Sequence, residues 1–133
     1  MSILGTGIIA DMILNEAYAP IPLRFVPPAI TCENAYVTWW TNNTANNNDE
    51  VLLRASTDGG VTFGEKINLS NSSNTNSIRA DIVSDADSVV VTWWESNQTS
   101  ETPVMRVSDD NGETFGPLLR LATNGTIDVA TRE

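Results

Sequence analysis

An all-β fold is predicted: two four-stranded antiparallel sheets in tandem, preceded by an extra N-terminal strand segment. Three observations predict it. Short β-branched and aromatic runs, such as Ala35-Tyr36-Val37-Thr38-Trp39-Trp40 and the valines leading to Thr92-Trp93-Trp94, are bounded by Asn, Asp, Ser and Gly clusters. The stretch Ser56-Thr57-Asp58-Gly59-Gly60-Val61-Thr62-Phe63 recurs as Ser108-Asp109-Asp110-Asn111-Gly112-Glu113-Thr114-Phe115. The landmarks keep a near-constant period: Trp39 and Trp93 lie 54 positions apart, Phe63 and Phe115 lie 52 apart. The difference falls in the loop after the tryptophans, where insertions are tolerated.

Each position of the repeated stretch has a mechanical task. Asp58 and Asp110 can fold their carboxylates onto the N–H groups of a tight turn. Gly60 and Gly112 allow a positive φ there. Ser56 and Ser108 can close a small hydrogen-bonded ring. Thr62 and Thr114 lead into Phe63 and Phe115, which start the returning strand and bury against the next layer. On these residues the chain resembles the Asp-box, or BNR, repeat of sialidase-like β-propellers. The resemblance covers residues 28–122. It implies that each box is the turn between the third and fourth strands of a propeller blade, a support and not a catalytic element. A period near fifty with four strands per unit also fits a propeller-type array.

In chain order, residues 1–27 form an N-terminal extended segment and a proline-rich linker. Residues 2–9 are predicted extended, because Gly5 and Gly7 disfavour a helix. Residues 12–18 are a strand or one or two helical turns. Met1 to Ala19 ends Ala17-Tyr18-Ala19, which resembles a cleavage site, but it lacks a basic start and carries Asp11, Asn15 and Glu16. Pro20, Pro22, Pro27 and Pro28 enforce an extended linker. Residues 28–77 are the first blade, with strands over 29–32, 35–40, 50–57 and 62–70. Glu33-Asn34 is its hairpin turn, 41–49 an asparagine-rich loop, and 71–77 a polar linker. Residues 78–133 are the second blade and a C-terminal strand. Its strands span 79–84, 88–94, 102–108 and 114–122, with a turn at 85–87, a loop at 95–101 and one further strand over 126–130.

Composition excludes several functions. The chain has 133 residues, with 7 Lys plus Arg against 17 Asp plus Glu and a net charge of −10. Phosphate recognition needs clustered cations, so no nucleic acid partner is expected. No apolar run is long enough for a membrane span. The single cysteine, Cys32, forms no intrachain disulfide and is read as a buried thiol in a strand. There is no histidine, which removes the commonest general base and metal ligand. Asp109, Asp110, Asn111 and Glu113 cluster, but without the ligand alternation and closing Glu of an EF-hand loop. No metal and no cofactor are expected.

The resemblance also bears on catalysis. Sialidases of that family use three arginines, a Tyr with a Glu as nucleophile pair, and an Asp acid/base. Here Arg54 and Arg106 are repeat equivalents and read as a structural feature of the third strand. Arg24, in Pro22-Leu23-Arg24-Phe25, departs from the family's Arg-Ile-Pro motif. Tyr18 and Tyr36 are the only tyrosines, and Tyr36 sits in a core-type strand. No catalytic residue carries over, so the chain is read as not an enzyme.

Adjacent strand residues point to opposite faces. Each of the pairs Trp39/Trp40 and Trp93/Trp94 should therefore put one ring in the core and one against a neighbouring sheet, with sugar stacking as the alternative. Sequons begin at Asn42, Asn68, Asn71, Asn97 and Asn124. Roughly three would arise by chance at this composition, so the excess is modest and the sites are glycosylation candidates. Such loops without disulfides look like those of a prokaryotic cell-surface protein, archaeal ones included.

Propellers close with ~4–8 blades, and two repeats leave faces and strand edges open. The expectation is a non-enzymatic extracellular structural protein that self-assembles with other copies of itself. Its residues 1–19 would add as a donor strand to a neighbour's sheet edge, with Ile3, Ile8, Ile9, Ile13 and Leu14 filling pockets. A filament or a closed ring would result; the alternative is that the segment folds back onto the chain's own second blade. The alternatives are a small glycan-binding or adhesive module with surface glycans as partners, or an oligomeric closed propeller. A sialidase-like hydrolase comes last.

Overall fold

The computed structural model describes residues 26–123 and 126–127. Strand β1 (Ala29–Thr31) turns into β2 (Asn34–Thr41), which is followed by β3 (Glu50–Ser56) and β4 (Ile67–Asn68). These four form one antiparallel sheet in the order β1-β2-β3-β4. Strands β5 (Asn76–Asp85), β6 (Ser88–Ser96), β7 (Glu101–Ser108) and β8 (Leu119–Arg120) form a second sheet in the order β5-β6-β7-β8. A short antiparallel pair, β9 (Ala122–Thr123) with β10 (Thr126–Ile127), follows. The described residues are all-β, with no helix.

Register decides what each face carries. Tyr36, Thr38 and Trp40 pair with Ala55, Leu53 and Val51, so these six share one face of the first sheet. Ala35, Val37, Trp39 and Leu52 lie on the other. In β6, buried Val89, Val91, Trp93 and Glu95 alternate with half-buried Val90, Thr92, Trp94 and Ser96. One core joins the two sheets. It contains Tyr36, Val51, Leu53 and Leu69 from the first, and Ala80, Val89, Val91, Trp93 and Val104 from the second. The Tyr36 face of the first sheet therefore packs on the Trp93 face of the second, with β5 crossing β1, β2 and β3. Full burial of each large side chain here stabilises by ~1.5–3 kcal/mol.

Several expectations need correction. The fourth strands are two residues long, not the nine of 62–70 and 114–122. The return begins in register, with Gly64 N–H donating to Ala55 O and Gly116 N–H to Val107 O, both at 2.8 Å. The pairing then slips by one residue before Leu53↔Ile67 and Met105↔Leu119. The amides of Thr62 and Thr114 are already taken by Asp58 and Asp110, and Pro117 has no N–H to give. Cys32 is exposed, in the turn between β1 and β2 at φ 55°, and is not a buried strand thiol. Thr31 pairs with Asn34, which leaves Cys32 and Glu33 as the two loop residues. Its counterpart Ala86 has φ 52°. Strand β5 starts at Asn76, three residues earlier than predicted, and bulges where Arg79 (φ 55°) and Ala80 stand opposite Trp93. Glu95 belongs to β6, not to the following loop.

The N-terminal segment with Ile3, Ile8, Ile9, Ile13 and Leu14 lies outside the described residues, as do Asn124 and the part of the predicted last strand beyond Ile127.

Candidate functional site

Polar structure concentrates at the two ends of the sheet pair. At one end sit the repeated loops. Ser56 Oγ donates to Asp58 Oδ1 at 2.7 Å and accepts the Gly60 N–H at 2.9 Å. Asp58 Oδ1 accepts the Thr62 N–H at 2.9 Å, and its Oδ2 accepts the Thr62 hydroxyl. The second copy repeats this geometry: Ser108 Oγ to Asp110 Oδ1 at 2.7 Å, Gly112 N–H to Ser108 Oγ at 2.9 Å, and Thr114 N–H to Asp110 Oδ1 at 2.9 Å. Thr114 Oγ1 donates to Asp110 Oδ2. Gly60 and Gly112 sit at φ 87° and 78°, where a side chain is strained. The threonine hydrogen bonds, then those from Ser56 and Ser108, lower both carboxyl pKa values to about 2.

Both oxygens of each carboxylate are thus spent inside its own loop, and no group of three or more metal-ligating side chains occurs among the described residues. Each loop is also tied to its hairpin: Gly59 N–H donates to Glu33 O at 2.7 Å, and Asn111 N–H to Asp87 O at 2.9 Å. Arg54 clamps the first return strand, donating from Nε to Gly64 O at 2.8 Å and from Nη2 to Phe63 O at 3.2 Å. Phe63 and Phe115 are half-buried, and Phe115 packs on the core.

The opposite end is built around two buried carboxylates that the sequence reading did not single out. Glu50 has 0% exposure. It accepts from Ser70 Oγ, from the Ser72 N–H at 3.0 Å and hydroxyl at 3.3 Å, and from Asn46 Nδ2 at 3.1 Å. Glu95 accepts from the Thr75 hydroxyl, from Ser77 Oγ at 2.9 Å and from Trp93 Nε1 at 2.7 Å. Together they hold the 70–77 linker in place. The loop before β3 does the same from above. Asn48 Nδ2 donates to Ser72 O at 3.1 Å and to Thr75 O, while Asn76 Oδ1 accepts the Asp49 N–H at 3.0 Å. Between that loop, the linker and the β6–β7 loop lies a groove of about 630 Å³. Asn48, Asn74, Asn76, Asn97, Gln98 and Thr99 line it. The visible signal was the Asn/Ser/Thr density of both stretches; their convergence was not visible.

The tryptophans occupy equivalent strand positions with unequal burial. Trp93 is 1% exposed, whereas Trp39, Trp40 and Trp94 are half-buried. Trp40 packs on the core, and the Arg79 guanidinium stands 5.5 Å above the Trp94 ring. Arg79 also pairs with Glu101 at 2.8 Å. Tyr36 is fully buried; burial and then the Asp87 charge raise its pKa, and its hydroxyl has no hydrogen-bond partner among the described residues. Among the sequons, Asn42, Asn71 and Asn97 are exposed. Asn68 is half-buried in β4, where its Oδ1 accepts the Asn71 N–H at 2.9 Å.

No family model, curated protein or solved structure matches the chain. No helix among the described residues is long and apolar enough to cross a membrane.

Proposed function

We propose that the chain is a non-enzymatic structural unit of the Asp-box β-propeller type, acting outside the cell or on its surface, and that its role is to assemble with further copies of itself. One observation carries this reading. The same sheet-to-sheet contact that is made once inside the chain can be made again between chains. Internally, the face bearing Tyr36, Trp40 and Leu53 is covered by the face bearing Val89, Val91 and Trp93. The second sheet carries the counterpart of the first of these faces in Val90, Trp94, Met105 and Val107, all half-buried, with Leu119 45% exposed. The first sheet carries the counterpart of the second in Val37 and Trp39, also half-buried.

A second copy presenting its Trp39 face to the Trp94 face of the first repeats the internal contact. Such a head-to-tail contact makes a ring if its rotation closes and a filament if it does not. Three copies would make a six-bladed ring. In this reading residues 1–19 add as a strand to the neighbour's sheet edge, where the two-residue β4 and β8 offer little pairing of their own. The extracellular placement rests on the sequons in exposed loops, and the absence of enzymatic activity on a family catalytic set that has no counterpart here.

Size-exclusion chromatography with light scattering tests the reading. The full chain should elute as an oligomer, and Trp94→Lys should shift it to the monomer. Deletion of residues 1–19 should also weaken assembly. A full chain that stays monomeric at high concentration would sink the proposal, and turnover of a fluorogenic sialoside would sink its non-enzymatic part.

A further inference from the structure

We infer that the asparagine-lined groove is a binding site for neutral, hydroxyl-rich ligands of the carbohydrate class. This goes beyond the assembly reading and does not depend on it. The first ground is the chemistry of the wall. Asn48, Asn74, Asn76, Asn97, Gln98 and Thr99 are all neutral. A primary amide offers donors and an acceptor side by side, and a sugar hydroxyl both donates and accepts. No charged side chain lines the groove. Glu50 and Glu95 are buried, and their oxygens are engaged by the serines and threonines of the linker, by Asn46 and by Trp93. A phosphate or a metal ion would find no opposite charge in the wall.

The second ground is size and rigidity. About 630 Å³ falls inside the range of small-molecule sites. Half of the named wall is fixed before any ligand arrives: Asn48 Nδ2 and Asn76 Oδ1 are tied to backbone, and Asn97 Oδ1 accepts the Thr99 N–H at 2.8 Å and the Ser100 N–H at 2.9 Å. Preorganisation lowers the ordering cost of binding. The third ground is unspent capacity. The Asn74 and Gln98 side chains are exposed at the groove and carry no hydrogen bond among the described residues. No aromatic ring lines the groove, so affinity rests on hydrogen bonds exchanged with water, and dissociation constants on the order of 1 mM are expected.

The test is amide NMR on the full chain, made in a host that does not N-glycosylate. Maltotriose, mannotriose, chitotriose, 3′-sialyllactose and inorganic phosphate are titrated separately. At least one neutral trisaccharide should move the side-chain amides of Asn48, Asn74, Asn76, Asn97 and Gln98 and saturate in the millimolar range. The double variant Asn74→Ala/Gln98→Ala should weaken that binding about fivefold or more while its melting temperature stays put. The inference is overturned if no groove amide responds to a neutral sugar, if the double variant binds unchanged, or if only sialyllactose or phosphate produces the shifts. The oligomeric state is read separately, so failure here and failure of the assembly proposal are distinguishable.

Discussion

At the scale of residues, the repeated loops show how a carboxylate can shape a turn. Each Asp ties its own threonine and serine, and the consequence appears in the pH dependence. The ordinary carboxyl value is 3.8, and the folded values of Asp58 and Asp110 are about 2. Between these limits the unfolded chain binds more protons than the folded one, so acidification favours unfolding. The stabilisation is complete above about pH 4 and is lost as pH falls through 2. Melting temperatures from pH 5 to 2 at fixed ionic strength should fall more steeply for the parent than for Asp58→Asn/Asp110→Asn; equal slopes would disprove the assignment. The glycines give a second, sharper comparison. Gly59 (φ 74°) has open space where a Cβ would go, whereas at Gly112 a Cβ would stand 3.0 Å from Tyr36 Cε1. Gly59→Ala should cost about 1 kcal/mol for the left-handed backbone alone. Gly112→Ala should cost about 2–4 kcal/mol, because it must also displace a buried ring. Urea denaturation of both variants measures the difference.

At the scale of elements, the linker between the sheets is as ordered by hydrogen bonds as the strands it joins. Glu50 gathers Ser70, Ser72 and Asn46, and Glu95 gathers Thr75, Ser77 and Trp93. Glu50→Gln turns an acceptor into a donor that faces other donors. It should cost about 1–3 kcal/mol, with faster hydrogen exchange at the Ser72 amide. The Thr62 and Thr114 amides, held by their own loops at the other end, should keep their protection. Uniform loss of protection across both ends would show that Glu50 acts on global stability and not on the linker.

At the scale of the whole molecule, equivalent positions carry unequal weight. Trp39 and Trp93 stand at the same place in the repeat, but only Trp93 faces the other sheet, and its indole also donates to Glu95. Trp93→Ala should cost about 3–5 kcal/mol. Trp39→Ala should cost clearly less in dilute solution, and its cost should grow with protein concentration if the Trp39 face is the one a second copy covers. Chemical denaturation at two concentrations reads both numbers, and a concentration-independent Trp39→Ala penalty would count against the assembly proposal.

Strand existence, the two four-stranded units and the turn chemistry of Ser56-Asp58-Gly60 and Ser108-Asp110-Gly112 were legible in the sequence, because backbone propensity and side-chain-to-backbone hydrogen bonds act over a few residues. Other features were decided only by tertiary structure. The pattern around Trp39 and Trp93 is nearly the same, so it states which residues share a face but not which face is covered. Cys32 reads as a strand residue until the Thr31↔Asn34 pairing leaves it in the turn. Nothing local marks Glu50 and Glu95 as buried, since a carboxylate goes inside only when donors from elsewhere in the chain meet it there. The groove is the extreme case: Asn48, Asn74 and Asn97 come from three separate loops, and only the packing of one sheet on the other brings them to a single wall.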